Sequence, residues 1–288
     1  MYGANGDLVR KEPPAPAAVT NYVYDVAGNL TGVTGGGLAP IGYVIDGANR
    51  RVGKKVNGAL TQQYIYDGSR IVATTDGANS NFTQFFYATG SHSPDVMVKP
   101  GTSYRIIKDH LGSVRMVVST TGVVAQRIDY DEWGNVLFDS APGFQPFGFA
   151  GGLYDRDTKL VRFGARDYDP ETGRWTTKDL SRFGGGWNFY AYANNNPVNY
   201  IDIDGHAASP AVLVGGVVAA AIYLAVMSPT HDGSVVMAVP ILATAAVGGA
   251  AHGLAARAAA TMSASEAGVC GGQPRQRSTE PHARSIRH

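Results

Sequence analysis

From Tyr22 onward, large apolar residues alternate with polar ones in short runs, and each run closes on a turn. YVYDVAGNLTGV (22–33), YVIDGANRRVGKKV (43–56) and YIYDGSRIVATT (64–75) begin with tyrosines 21 residues apart, twice in succession. Each sets an Asp, followed within a few residues by Gly, between two alternating runs. A period of two is that of a half-buried strand, and Asp with Gly marks a hairpin turn in which Gly relieves a positive φ. The pattern predicts one β-hairpin per repeat, with turns near Ala27-Gly28 and Asp46-Gly47. Self-similarity at about 20 residues further predicts a quasi-one-dimensional array, each hairpin covering its neighbour's apolar face.

The alternation continues less regularly through FFYATGSHSPDVMV (85–98) and 104–140, with turns expected at Leu111-Gly112 and Trp133-Gly134. From Phe163 to Gly205, Tyr, Trp and Phe recur between Gly, Asn, Asp and Pro, so short strands alternate with tight turns. Asp169-Pro170-Glu171-Thr172-Gly173 and Asn195-Asn196-Pro197 have turn chemistry, and a short helical turn is expected around Asn194 to Asn199. Ahead of Tyr22, Pro13, Pro14 and Pro16 deny regular structure, so residues 1–20 are expected to be a disordered lead-in. At Gly205 the pattern breaks. Residues 211–227 are wholly apolar or Gly, and 234–256 form a second uncharged run interrupted by Pro240 and His252. Each is long enough for a helix of about 20 residues to cross a hydrocarbon core of about 30 Å. Gly215-Gly216 and Gly248-Gly249 would permit close helix packing there. A buried apolar helical hairpin and a loosely ordered Ala/Gly-rich segment are the alternatives. The tail, 257–288, carries five Arg and little apolar content, and is expected to be a disordered polar tail.

The expected fold class is therefore mainly β: hairpins over 21–140, a turn-rich aromatic region over 141–206, then an apolar helical region over 207–256. Composition agrees. Charged residues are 16%, with Gly at 37 and Tyr at 15 of 288 residues, which suits an all-β chain with many turns. Lys plus Arg number 24 against 23 Asp plus Glu, a net charge of +1 that gives no electrostatic reason to expect nucleic acid. No phosphate-binding loop, dinucleotide fingerprint or basic-aromatic motif occurs, so no cofactor is expected. Cys270 stands alone, so no intrachain disulfide forms. No basic start followed by an apolar run opens the chain, so export is expected by a route without an N-terminal signal peptide. His92 and His110 have no partners at metal-ligand spacing, and His110 in its turn is expected to cap backbone groups. Asp155-Arg156-Asp157 and Asp167-Tyr168-Asp169 lack the ligand spacing of a calcium loop.

The motif Tyr-x-Tyr-Asp-x-x-Gly-Asn-Leu-Thr, complete at 22–31, resembles the YD repeat. DHLGSVR (109–115), YDEWGN (130–135) and the run from about Phe147 to Gly205 resemble the core of the bacterial Rhs, or YD-repeat, family. The resemblance implies a β-shell that encloses a C-terminal toxin, with the core as the plug at one end. It also implies an aspartyl self-cleavage that releases the C-terminal region. On that pattern Asp179 and Asp202 would be the two carboxylates, sharing a proton when brought together, and the cut would fall after His206, before Ala207. Leu180 and Ile203 stand where the family has Pro, His206 departs from the usual Leu, and Asp204 could compete for the proton. Arg174 and Lys178 are candidate tuning cations. The plainer reading is that both aspartates satisfy turn amides. Expected partners are the chain's own C-terminal cargo, an immunity protein, a secretion apparatus and, through 211–227 and 234–256, a membrane. Two rival functions are a β-rich module binding carbohydrate or a cell surface, its Tyr and Trp rings offering the contact, and a membrane-active C-terminal effector.

Overall fold

The computed structural model describes residues 1–179 and 187–211. The two apolar runs proposed as membrane helices and the polar tail lie outside those residues. Among the described residues no helix is long and apolar enough to cross a membrane.

Thirteen antiparallel strands form one meander in strict sequence order. They are β1 (Arg10–Lys11), β2 (Thr20–Tyr24), β3 (Leu30–Gly35), β4 (Leu38–Ile45), β5 (Arg51–Val56), β6 (Ala59–Asp67) and β7 (Arg70–Asp76). β8 (Thr83–Phe86), β9 (Val96–Lys99), β10 (Thr102–Lys108), β11 (Val114–Ser119), β12 (Val124–Tyr130) and β13 (Val136–Asp139) follow. A second sheet of four short strands, β14 (Leu153–Tyr154), β15 (Val161–Phe163), β16 (Arg166–Asp169) and β17 (Arg174–Trp175), carries the aromatic region. β18 (Tyr200–Ile201) and β19 (Ser209–Pro210) pair by themselves. The only helical pieces among the described residues are two 3-10 turns, Phe149–Gly151 and Ala193–Asn195, the second overlapping the start of the expected helical turn.

Five loop aspartates share one physical job, while Asp67 of the third repeat instead pairs with Arg70 across a two-residue turn. In the loops that start at Asp25, Asp46, Asp76, Asp109 and Asp131, the carboxylate Oδ1 accepts the amides two and four residues ahead, at 2.7–3.0 Å. The backbone closes the same frame: the amide three ahead donates to the Asp carbonyl, and the Asp amide donates to the carbonyl four ahead. The residue at the third position must take a positive φ, and it is Gly28, Asn49, Asn79, Gly112 or Gly134. The turn expected at Asp46-Gly47 therefore forms, but Asn49 rather than Gly47 holds the left-handed position. Asn tolerates it because its short side chain can hydrogen-bond locally. Next to several of these loops the ladder slips by one residue, at Val23/Tyr24, Val44/Ile45, Ile107/Lys108 and Asp129/Tyr130. Such bulges increase local twist.

One face of the meander is apolar. Tyr22, Leu30, Val33, Ile41 and Tyr43 pack with Leu160, while Tyr64, Ile71, Phe85, Met97, Ile106 and Val117 pack with Phe147 and Leu153. The four-stranded sheet thus sits on the meander through residues from both of its ends. Between the layers lies a buried charged seam. Arg51 Nη2 meets Asp167 Oδ1 at 2.9 Å, Arg162 Nη1 meets Asp167 Oδ2 at 2.9 Å, and Lys54 Nζ meets Asp155 Oδ1 at 2.7 Å. Tyr43 donates to Asp155 Oδ2 at 2.6 Å and lies 3.5 Å below the Arg51 guanidinium. A buried charge is tolerated only when paired and hydrogen-bonded, and each of these is.

The lead-in expected to be disordered is instead ordered. Tyr2 bridges to Leu8, Leu8 is buried among the first hairpins, and β1 pairs with β2. Its backbone is satisfied by the core: the Leu8 amide donates to Thr176 O at 2.8 Å, and Tyr190 Oη donates to Gly6 O at 2.7 Å. Lys11 Nζ completes the strap on Asp169 at 2.8 Å and Glu171 at 2.7 Å. Prolines deny a helix or a central strand; they leave an extended strap free to dock.

Candidate functional site

Asp179 and Asp202, 23 residues apart in sequence, meet at one guanidinium. Arg166 Nη2 lies 2.9 Å from Asp179 Oδ2 and 3.3 Å from Asp202 Oδ2, and all three side chains are buried. Three elements deliver them. Arg166 opens β16, and Asp179 ends the stretch after β17, where its amide donates to Phe189 O at 3.1 Å. Asp202 follows β18 directly. An aromatic cluster fixes these elements relative to one another: Tyr168 and Tyr192 centroids are 4.2 Å apart, and Trp175 sits edge-on to Tyr192 at 5.4 Å and to Phe163 at 5.9 Å. Each such pair contributes about 0.5–1.5 kcal/mol beyond area burial. The Arg166 guanidinium itself lies 4.2 Å over the Trp175 ring.

The turn after Asp202 wraps back onto the same groups. Asp202 Oδ1 accepts the Gly205 amide at 2.9 Å and the His206 amide at 3.0 Å, and Asp204 Oδ1 accepts the His206 amide as well at 3.0 Å. Arg166 Nε donates a very short bond to the Gly205 carbonyl, while its Nη1 donates to Phe189 O at 3.3 Å. Gly205 has φ +74°, and a Cβ there would stand 2.6 Å from Phe163 O, so only glycine fits.

The charges differ. Burial pushes the Asp202 carboxyl up to about 6; the Arg166 cation opposes that shift, and the neighbouring Asp204 carboxyl reinforces it. Burial also pulls Arg166 below its usual range, against the pull of Asp179, Asp202 and Asp204. One cation therefore faces three carboxyls.

The sequence placed the two carboxylates but missed the cation. Arg174 and Lys178, the candidate tuning cations, are both exposed, whereas Arg166 reaches both aspartates. The one signal for Arg166 lay in the short buried run of β16, RDYD, where an arginine needs an acidic partner to be tolerated. His206 and Ala207, the expected cleavage pair, follow directly, with His206 anchored by its amide and Ala207 exposed. His110 caps the Val198 carbonyl at 2.8 Å and His92 meets the Ala150 carbonyl at 2.9 Å, roles in backbone satisfaction. Asp155 serves the charged seam with Lys54 and Tyr43. Near the site, a cavity of about 780 Å³ reaches from Asp204 to Tyr66 and Tyr87, over which lie Arg50 and Arg70.

A family model described as Teneurin YD-shell matches residues 1–198. The chain is 35% identical over 193 residues to Teneurin-3 of Mus musculus, covering 62% of this chain and 7% of that protein. It is 33% identical over 196 residues to the tRNA nuclease WapA of Bacillus subtilis, covering 64% of this chain and 8% of WapA. It thus spans less than a tenth of the length of these relatives. Among solved structures, TcdB2-TccC3 without its hypervariable C-terminal region superposes with a TM-score of 0.52 at 20% identity, over 65% of this chain and 10% of the other. The Tc holotoxin pore of Photorhabdus luminescens superposes with a TM-score of 0.54 at 18% identity, over 74% and 11%. At such identities the likeness is one of fold.

Proposed function

The chain belongs to the Teneurin YD-shell family, and from that premise we propose that it is the C-terminal part of an Rhs-type shell that encloses and presents a variable C-terminal toxin or effector region. The core and its strap form the plug, and the cargo is the chain beyond His206. The relatives include a tRNA nuclease and a Tc toxin component, which supports a bacterial secreted or cell-surface setting. We further propose that the plug cuts itself once in the turn after Asp202, releasing the cargo.

The observation that carries this reading is the convergence of Asp179 and Asp202 on Arg166, with the turn of Gly205 and His206 hydrogen-bonded into the same cluster. Two carboxyls held at one buried cation can serve as base and acid. A substrate tethered three to four residues from the second carboxyl is presented at high effective concentration, so even a poorly tuned pair completes one turnover. The test is expression with a tag at each end, followed by intact mass. A cut in this turn that disappears in both Asp179→Asn and Asp202→Asn supports the reading. If the chain stays whole, Leu180→Pro with Ile203→Pro restores the family's turn. A restored chain that also stays whole reduces the two aspartates to structural ion-pair partners.

The cavity carries a second reading, a module binding carbohydrate or a cell surface through Tyr66 and Tyr87 under Arg50 and Arg70. Glycan-array binding lost in Tyr66→Ala and Tyr87→Ala, with no self-cut, would favour it.

A further inference from the structure

The strap of residues 1–11 fills a strand's place between the meander and the four-stranded sheet, and what fills that place in one molecule fits it in another. We propose that the seat under the strap is an interaction surface for a second copy of this chain, whose strap docks there in exchange for the resident one. The inference stands on the strap and its linker, and holds with or without a self-cut.

The strap is hydrogen-bonded on both sides. The Val9 carbonyl accepts from the Tyr22 amide of β2 at 3.0 Å, while the Leu8 amide donates to Thr176 O, just after β17, at 2.8 Å. The seat is also selective along its length. Tyr2 meets the Tyr190 ring edge-on at 5.2 Å, and Leu8 is buried with Tyr22, Leu30, Val33 and Leu160. Gly6 has φ +81°, and a Cβ there would stand 2.6 Å from Tyr190 Oη, so the position takes glycine alone. Lys11 Nζ answers Asp169 at 2.8 Å and Glu171 at 2.7 Å. The seat therefore reads an aromatic ring, a glycine, a leucine and a cation in fixed order. The segment that carries them is the strap itself, so the occupant in trans is another strap.

The linker decides between the closed and the exchanged form. β1 pairs antiparallel with β2, Lys11 opposite Thr20, so residues 12–19 must reverse the chain. That reversal falls on Glu-Pro-Pro-Ala-Pro-Ala-Ala-Val, whose prolines favour an extended path of about 3.1 Å per residue. Residues 14–18 are exposed, and among the described residues one backbone hydrogen bond lies within the linker, from the Ala17 amide to Pro14 O at 3.1 Å. Little holds the reversal. A flexible linker would give the closed strap an effective concentration of about 1 mM, which a dimer at micromolar protein cannot match. A linker that favours extension lowers that figure. The contacts at the seat are the same in both forms and cancel, so the linker alone sets the balance. The exchanged form is a two-fold dimer in which both linkers run straight from one copy to the other.

The full chain is incubated at micromolar concentration and at about 1 mM, with a reductant that keeps Cys270 from cross-linking, and sized by chromatography with light scattering. A dimer is expected at the higher concentration, and it should outlast dilution, because each strap must leave its seat before it can return. Replacing Pro13, Pro14 and Pro16 together by Ala should shift that dimer to monomer. Charge reversal then identifies the surface. Lys11→Glu sets the strap against its own seat, and Glu171→Lys sets the seat against its own strap. In a mixture, the altered strap matches the altered seat and the two unaltered parts match each other, but only by exchange. Native mass spectrometry of differently tagged variants, each with the near-UV circular dichroism of the parent, should show heterodimer in excess of either homodimer. Monomer at every concentration and in the mixture overturns the proposal. So does a dimer that neither the charge pairing nor the proline replacement alters, since it would use another surface.

Discussion

The repeat aspartate gives the most direct test of why these hairpins fold, and Asp131 is the position at which to make it. Its Oδ1 accepts the Trp133 amide at 2.9 Å and the Asn135 amide at 2.8 Å, and Oδ2 accepts Asn135 Nδ2 at 2.8 Å. The loop so formed also holds the core. Asn135 Nδ2 donates to Pro170 O at 3.1 Å, and Tyr168 Oη donates to Trp133 O at 2.8 Å. Asp131→Ala removes three accepted hydrogen bonds from a half-buried loop. At about 0.5–1.5 kcal/mol net apiece, scaled toward the lower half because water reaches the loop, the loss is about 2–3 kcal/mol. Asp131→Asn keeps an oxygen for the two amides but loses the charge, and should cost about 1 kcal/mol. For a domain of this size, 1 kcal/mol moves Tm by about 2–4 °C, so the Ala variant should melt about 4–12 °C lower. The assay is urea unfolding at pH 7 followed by near-UV circular dichroism, with calorimetry for Tm. An Ala variant within 0.5 kcal/mol of the parent would show that the backbone frame alone holds the turn, and that the aspartate's place in the repeat has another cause.

Two further outcomes follow from the charges. Asp202 has a folded pKa raised to about 6 by burial, from a usual 3.8, so its contribution to stability is fully present below the lower value and is lost as pH rises through the upper one. Asp202→Asn should therefore remove a decline of about 1–3 kcal/mol between pH 4 and 6, measured by denaturant unfolding at successive pH; a decline that persists in the variant would mean another group is responsible. Lys11 ties the strap to Asp169 and Glu171 at a partly exposed site, so Lys11→Met should cost only about 0–1 kcal/mol, yet speed proteolysis of residues 1–11; unchanged protection there would show that Leu8 and Tyr190 hold the strap without it.

The array was legible because its signal is local and repeated. Alternation and the turn aspartate lie within a dozen residues, tyrosine recurs every 21, and five loops repeat the same physics. What local pattern could not show was which residue takes the left-handed turn when two candidates lie two positions apart. The sequence favoured Gly47 on chirality alone, but the Asp46 carboxylate fixes the third residue ahead, and that is Asn49. Geometry set by a hydrogen-bond frame outranks the preference of a single residue. The strap failed for a related reason. Prolines forbid regular structure within a segment, but order can come from outside it, and Thr176 and Tyr190, far along the chain, supply the partners.

The site divides along the same line. Asp179 and Asp202 could be found because the run around each resembles a family motif, and a motif is a local statement. Arg166 could not, because its role exists only once β16, the Asp179 segment and the turn after β18 are packed together. Its three nitrogens join the elements: Nη2 to the two carboxylates, Nη1 to Phe189 and Nε to Gly205. A single buried guanidinium satisfied on every nitrogen has a structural sufficiency of its own, since removing it would strand two carboxylates in the core at about 3–5 kcal/mol. Packing alone therefore accounts for this residue, and a cut in the turn after Asp202 is the one outcome that a clamp does not predict, because a clamp has no reason to break a peptide bond.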